Sequence, residues 1–406
     1  ALSIVMNMFP EGAERNKALG VWGAIGASGA TVGVIAGGVL TRYAGWQYIF
    51  FLNVPIGAAA LLLAPRLVPE SRLATARRRY DPFGAVTVTG GLSLLVYAIS
   101  TAPQAGWGTA RTVTLLAVSA ALLAAFVVTE TRVEAPLMPL RIFGSRTLAG
   151  ANAVSVLLGG SFFAFIFIGT LYMQQVLGYS ALKAGLAWLA ASLTSVAFAG
   201  LSQALVTRGS AKLVMAAGMA MIGGGVLWAT QVPVHGHYWA SLAGPFVIVG
   251  IGTAFAFIPV SIAALAGVAE HEAGLASGLL NTSQQLGGAI GVALASTIAA
   301  THASTLLHQG AAPAAALTSG FQWAFWACGA IGLAAVPVTY LLIRRDELAA
   351  AVASTSQKPQ PAPEVVGLRR VHPSCCTAPG HDPPLARAVG PGQPAAGLNG
   401  RRRPGA

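Results

Sequence analysis

The chain has 406 residues, of which 55% are hydrophobic and only 9% charged, and its mean hydropathy is +0.68. Because a soluble domain usually carries about 25% charged residues, this composition excludes a soluble globular protein. The formal net charge is +12, but outside the carboxy-terminal tail no stretch shows the interleaved basic and aromatic residues of a nucleic-acid-binding face, so we expect no nucleic-acid partner. The three cysteines lack metal-ligand spacing and predict no metal site.

Ten apolar segments are long enough to cross a bilayer, which takes about 20 residues of helix. None of them contains Asp, Glu, Lys or Arg. In chain order we predict spans at 19–40, 46–65, 82–101, 112–129, 149–173, 184–206, 213–230, 239–264, 275–299 and 320–342. The sequence therefore predicts an all-α integral membrane protein with about ten transmembrane helices.

Lys and Arg are distributed unequally between alternate connections of these spans. The connections on the side of residues 1–18 carry twelve basic residues, and those on the other side carry three. Because cytoplasmic loops are enriched in Lys and Arg, we predict a multi-pass protein of the cell membrane with both chain ends in the cytoplasm. Residues 344–406 are rich in Pro, Gly, Ala and Arg, which predicts a disordered cytoplasmic tail.

Glycine recurs every three or four residues along one face of the first predicted span, from Gly20 to Gly37. Such a face lets two helix backbones approach closely, so that van der Waals contact holds them together in lipid. The spacing alone favours a static contact between helices over a moving interface.

Uncharged polar side chains are the candidate functional groups inside the spans. They could line a substrate cavity or tie neighbouring helices together, and the tie is slightly favoured because polar groups commonly join helices in membranes. The candidates are Asn53, Asn152, Asn281, Gln284 and Gln285. The last three recur at helical spacing and can share one face. For the phenylalanines at 162, 163, 165 and 167, ordinary packing is favoured over stacking against an aromatic drug.

Ionisable groups are placed outside the predicted spans. A proton-coupled carrier needs such a group within the membrane, yet all twelve acids and seven histidines map to connections, span ends or the tail. We therefore expect that the coupling residue is not in this chain. An enzyme would need acids, His or Cys clustered at membrane depth, so we predict no enzymatic activity and no cofactor.

Several stretches resemble, in the right order, the drug:proton antiporters of the major facilitator superfamily that have fourteen helices. They are FPEGAERNKALG at 9–20, GATVGVIAGGVL at 29–40, GW at 45–46, FLNVPIG at 51–57, PLRIF at 139–143 and YMQQVLGY at 172–179 with AG at 184–185. The second stretch resembles the antiporter motif of this group's fifth helix, with Gly29, Gly33, Gly37 and Gly38 as the motif glycines. Val34 follows the central glycine where the motif usually has Pro, so a proline kink is not expected.

The resemblance implies an amino-terminally truncated member, without the first three helices, most of the fourth, and the acidic motif of the first helix. It implies that 1–66 is the remainder of the amino-terminal half, 67–148 a central extra helix pair with its flanking cytoplasmic loops, 149–343 the carboxy-terminal six-helix half, and 344–406 the tail.

The implied function is secondary active transport, namely proton-coupled efflux of amphipathic drugs. Its partners would be a small-molecule substrate, protons and the lipid bilayer, and we expect a monomer. Two alternatives remain: an importing symporter of the same superfamily, or a non-transporting truncated fragment or membrane scaffold.

Overall fold

The computed structural model describes residues 35–67, 81–133, 144–266 and 272–344, with the isolated positions 29, 32, 33 and 268. All regular structure in these ranges is helical. The α-helices are α1 Gln47–Leu67, α2 Pro82–Ala105, α3 Ala110–Glu130, α4 Arg146–Leu171, α5 Ala181–Ala187, α6 Leu189–Arg208, α7 Ala211–Trp228, α8 Tyr238–Ser241, α9 Ala243–Leu265, α10 Ala273–His308 and α11 Pro313–Leu342. A π-helix, Tyr172–Val176, continues α4, and a 3₁₀ turn, Ala229–Gln231, continues α7.

Nine helical segments of the described ranges are long and apolar enough to cross a membrane. Each corresponds to one of the predicted spans from 46–65 onward, and the all-α membrane fold class is confirmed. The predicted span at 19–40 lies mostly outside the described residues, although 35–43 are helical. The span predicted at 184–206 is divided into α5 and α6 at Trp188.

Short polar side chains set the first residue of several helices. Thr109, Ser145 and Ser180 each accept a hydrogen bond from the backbone N–H three residues on, at the starts of α3, α4 and α5. Asp81 does the same for α2, with Oδ1 2.8 Å from the N of Gly84. These caps satisfy backbone donors that the first turn of a helix leaves without partners.

Helix α10 is longer than the sequence predicted. It has 36 residues, or about 54 Å at 1.5 Å per residue, against a hydrocarbon core of about 30 Å. His302 and His308, which were expected in a connection, therefore lie in its last turns. The hydroxyl groups of Ser304 and Thr305 both donate to the Thr301 carbonyl. The hydrogen bonds of these polar side chains are therefore made within the helix, and the helix continues past the apolar segment.

The helices from α4 to α11 pack against one another. α4 contacts α9, α10 and α11; α7 contacts α9 and α11; and α6 lies against α9. The hairpin of α2 and α3 is joined to this group through contacts between α2 and α10. In α1, none of the most apolar 18-residue window is buried within the described structure.

Aromatic rings fill the core between α4, α6, α9 and α11. Phe165 is fully buried, with its ring centroid 5.4 Å from Trp188, 5.7 Å from Phe246 and 5.7 Å from Phe325. Trp188 stacks on Phe246 at 4.2 Å, and its indole N–H donates to Thr170 Oγ1 at 3.1 Å. Phe165 is thus a packing residue, as the sequence favoured.

Candidate substrate-facing surface

Glycines bring the backbones of α4 and α10 into direct contact. Gly159 faces the carbonyl oxygen of Gln284, Gly287 faces that of Val156, and Gly291 faces that of Gly160. A Cβ at any of the three glycines would overlap the opposing backbone. Glycine is therefore required at these positions for the two helices to approach as closely as they do.

Asn152 and Ser283 form a hydrogen bond across this contact. Asn152 is 7% exposed; its Nδ2 donates to the Leu148 carbonyl at 2.9 Å, and its Oδ1 accepts from Ser283 Oγ at 2.9 Å. Both ends of the buried amide are thereby satisfied, which is how a polar group joins helices in a membrane. The geometry at Asn152 matches the interhelical tie rather than the cavity lining.

The three amides predicted on α10 lie in different environments. Asn281 and Gln285 are exposed, and Gln284 is half-buried with its backbone against Gly159. Asn281, Gln285 and Gly288 follow the i, i+4, i+7 spacing of one helix face. Two amide side chains are therefore presented together on a face of α10.

Aromatic side chains of α4 and α9 continue this face. Gly288 receives the ring of Phe163, whose centroid is 5.6 Å from that of Phe162. Phe162 is in turn 5.7 Å from Phe257 of α9, and all three rings are half-buried. The exposed amides of Asn281 and Gln285 and these three rings form what we term the amide–aromatic surface. It carries no charged side chain, so it can bind a ligand by stacking and by neutral hydrogen bonds.

The antiporter-motif glycines differ in what they face. Among the described residues, no atom lies within 4 Å of a Cβ built at Gly29 or Gly33. A Cβ at Gly37 would lie 4.0 Å from Ile49 Cδ1, and one at Gly38 would lie 3.0 Å from the Cα and Cδ1 of Leu182. Gly38 is thus the motif glycine with a close approach in the described structure, and its neighbour is α5.

Asn53 makes a hydrogen bond within its own helix. It is exposed on α1, and its Nδ2 donates to the Ile49 carbonyl one turn earlier at 3.1 Å. The side chain therefore hydrogen-bonds its own helix.

Two acids are buried at one end of the hairpin of α2 and α3. Asp81 is 7% exposed at the start of α2, and Glu130 is 5% exposed at the end of α3. The second carboxylate oxygen of Asp81, Oδ2, has no hydrogen-bond partner among the described residues. These acids are at helix ends, as the sequence predicted, but they are more deeply buried than loop acids would be.

A family comparison adds to this geometry. The Major Facilitator Superfamily matches residues 1–292, which is more than half of the chain. The chain belongs to this superfamily. Members are transporters of small molecules rather than enzymes, so the predicted resemblance and the absence of enzymatic activity are confirmed. With nine apolar helices in its described ranges, it is a multi-pass membrane protein.

Relatives of this superfamily member carry names that concern antibiotics. The puromycin resistance protein of Streptomyces alboniger is 35% identical over 368 residues, which is 88% of this chain and 73% of the relative. The cephamycin export protein of Amycolatopsis lactamdurans is 36% identical over 73% of this chain and 62% of its own length. The tetracenomycin C resistance and export protein of Streptomyces glaucescens is 32% identical over 72% of this chain. This chain covers only 54% of that third relative.

Sequence reasoning about this transporter missed the contacts between α4 and α10. It did not predict that Ser283 bonds Asn152, or that Phe163 packs on Gly288. A signal was present, because α4 and α10 each carry a glycine pair, at 159–160 and 287–288, in spans of matching length. Two such pairs favour a contact between their helices but do not fix which faces meet.

Proposed function

We propose that this chain functions in the export of amphipathic small molecules across the cell membrane, energised by proton entry. Superfamily membership and relatives named for drug or antibiotic export support efflux. The amide–aromatic surface is the observation that carries the proposal. Stacking rings beside hydrogen-bonding amides suit a substrate with an apolar aromatic part and a polar part.

The chain's place in such a transporter follows the predicted division. The six membrane-crossing segments from α4 to α11 would be the carboxy-terminal half, the hairpin of α2 and α3 the extra pair, and residues 1–66 the remainder of the amino-terminal half. The contact of Gly38 with Leu182 of α5 and the packing of the later helices support this division. Transport would then be a rocking of one half against the other around a midplane cavity.

Orientation in the membrane is part of the same proposal. The excess of twelve basic residues over three supports cytoplasmic ends. Cysteine labelling from outside the cell tests it: a cysteine placed in 102–110 should react, and one placed in 67–80 should not. The reverse pattern would contradict the orientation.

Dye efflux tests the amide–aromatic surface. In a bacterial host lacking its own exporters, Phe163→Ala and Gln285→Leu in the native gene product should raise the retained ethidium several-fold, because each removes a substrate contact. Phe167→Ala and Gln309→Leu are matched controls, since Phe167 is exposed one turn along α4 and Gln309 is exposed just after α10. Equal efflux by all four variants at equal expression would contradict the proposal.

Proton coupling is tested separately. The residues that would couple transport must take up a proton in the translocation path, and the amide–aromatic surface has no group that does so. We therefore propose that the 406-residue chain alone, in liposomes with an imposed pH gradient, does not drive uphill movement of a cationic dye. Uphill movement that a protonophore abolishes would contradict this and direct the search to Asp81 and Glu130.

A further inference from the structure

A crevice of about 380 Å³ opens near the carboxyl end of α10. It is lined by Thr297, Ile298, Thr301, His302, Thr305 and Trp323. The connection between α2 and α3 borders it, because the indole N–H of Trp107 donates to Thr297 Oγ1 at 3.3 Å. The crevice begins about 18 Å further along α10 than Gln285, so it is separate from the amide–aromatic surface.

Two of the three threonines of the lining present oxygen lone pairs rather than hydrogens. Thr297 Oγ1 donates to the Ala293 carbonyl at 2.8 Å, and Thr305 Oγ1 donates to the Thr301 carbonyl at 3.0 Å. Their hydrogens are engaged within the helix, so only acceptor capacity remains toward the crevice. Thr305 lies in the last turn of α10, at the negative end of the helix macrodipole, which favours a cation there.

Two rings form the aromatic part of the lining. Trp323 is 54% exposed, and its ring centroid is 5.5 Å from that of His302. The His302 Nε2 lies 3.1 Å from Ser319 Oγ, which holds the imidazole against α11. An accessible indole face attracts cations through its quadrupole. Among the lining residues there is no Lys or Arg to repel a cation or to bind an anion.

We propose that this crevice binds a free organic ammonium ion that carries an apolar group. The ammonium would lie over the indole of Trp323 and near the threonine oxygens, and the apolar group would contact Ile298. Because α10 is longer than the hydrocarbon core is thick, its last turns can reach the boundary between membrane and water. A ligand with one charged end and one apolar end fits that boundary.

The test is equilibrium binding of radiolabelled benzyltrimethylammonium to the 406-residue chain in phosphatidylglycerol nanodiscs, without any gradient. Trp323→Leu should weaken binding about five-fold, as expected for loss of a cation–π contact. Trp326→Leu is the matched control, because Trp326 is 52% exposed on the same helix but does not line the crevice. Equal binding by these two variants would overturn the proposal.

Charge provides the second arm. His302→Lys places a fixed positive charge in the lining, so it should weaken binding of the cation but not of neopentylbenzene, its neutral isostere. His308→Lys, at the exposed end of α10, should leave both unchanged. Equal losses for the cation and the isostere would show a steric effect and overturn the proposal.

A third arm concerns lipid. At high ionic strength, which screens the surface charge of phosphatidylglycerol, loss of binding in phosphatidylethanolamine nanodiscs would show that a lipid headgroup occupies the crevice, and the assignment to a free ligand would be overturned. Because no transport is measured, failure of the export proposal would leave all three arms interpretable.

Discussion

Helices α1 and α7 have almost the same mean hydropathy and opposite degrees of burial. Their most apolar segments are almost equally hydrophobic, yet in the described structure 0% of that segment is buried in α1 and 61% in α7. Hydropathy therefore identifies helices that enter a membrane and says little about which helices they contact. In a bilayer, apolar side chains gain no hydrophobic free energy when they exchange contact with lipid acyl chains for contact with a neighbouring helix.

Glycine contacts explain the burial of α7. In α7, Gly218 faces the backbone of Phe255 and Gly223 faces Leu333, so two other helices approach its axis. In α1, the large side chains of Phe50 and Phe51 are exposed, and no described atom lies within 4 Å of a Cβ at Gly57. The close approaches to α7 in the described structure are therefore made at small residues that are opposed by another backbone.

The largest expected effect comes from adjacent glycines of α7. A Cβ at Gly223 would lie 2.8 Å from the backbone N of Leu333, whereas a Cβ at Gly224 meets no described atom within 4 Å. Overpacking costs about 1–3 kcal/mol and occasionally more, and backbone atoms cannot rotate aside as a side chain can. We expect Gly223→Leu to eliminate monodisperse protein in size-exclusion chromatography.

Gly224→Leu is the control for that experiment, and Gly57→Leu extends it to α1. Both should elute like the unmodified protein. If Gly224→Leu fails as completely as Gly223→Leu, the explanation by backbone contact is wrong.

The same contrast separates what the sequence could predict from what it could not. Segments without charged residues predicted the spans. Charged side chains and unpaired backbone groups lose their hydration in a bilayer, so only apolar helices insert. The pairing of Gly159 with Gln284, and the position of Phe163 on Gly288, depend on the rotation of two helices about their axes. The spacing of residues along one helix does not determine how that helix is rotated against its neighbour. The sequence analysis missed the extension of α10 to His308, because Ser and Thr residues are also typical of loops. Here their hydroxyl groups donate to backbone carbonyls of the same helix.

A smaller effect is expected at the end of α11. Lys212 is 8% exposed, and its Nζ donates to the carbonyls of Tyr340 at 2.8 Å and Ile343 at 2.6 Å, where the last helix leaves acceptors without intrahelical partners. Hydrogen bonds to a charged group contribute about 1.5–3 kcal/mol. Lys212→Met keeps most of the apolar stem and removes these bonds, so it should lower the free energy of unfolding by about 2 kcal/mol in reversible detergent unfolding.

Lys183→Met is the comparison for Lys212. Lys183 is exposed, with its Nζ 3.8 Å from the Tyr179 ring centroid. An exposed cation–π contact contributes about 0.5–1 kcal/mol, so this variant should lose less than Lys212→Met. Equal losses at the two lysines would show that the carbonyl contacts of Lys212 add nothing.

The hydrogen bond between Asn152 of α4 and Ser283 of α10 should contribute less to the free energy of unfolding than the lysine contacts do. Hydrogen bonds between membrane helices average about 0.6 kcal/mol in double-mutant cycles. We expect a coupling energy of that size between Asn152→Ala and Ser283→Ala, measured by the same unfolding assay. Ser277→Ala replaces a serine of α10 whose hydroxyl donates to Gly274 of its own helix at 2.9 Å, and it should show no coupling to Asn152→Ala. Coupling of Ser277 as strong as that of Ser283 would contradict a specific tie.

The smallest effect is expected for Asp81→Asn, in the hairpin whose burial lies between that of α1 and that of α7. The windows of α2 and α3 are 28% and 17% buried. Asp81 Oδ1 caps α2 by accepting from Gly84, and Asn offers the same acceptor, so Asp81→Asn should change the free energy of unfolding by less than about 0.5 kcal/mol. Asp81→Ala removes the cap and should cost about 1 kcal/mol. If the two variants lose stability equally, the carboxylate charge rather than the cap stabilises α2.

If Asp81→Asn alters proton-driven efflux without altering stability, Asp81 belongs to the coupling machinery, and the expectation that the chain lacks a coupling residue is wrong.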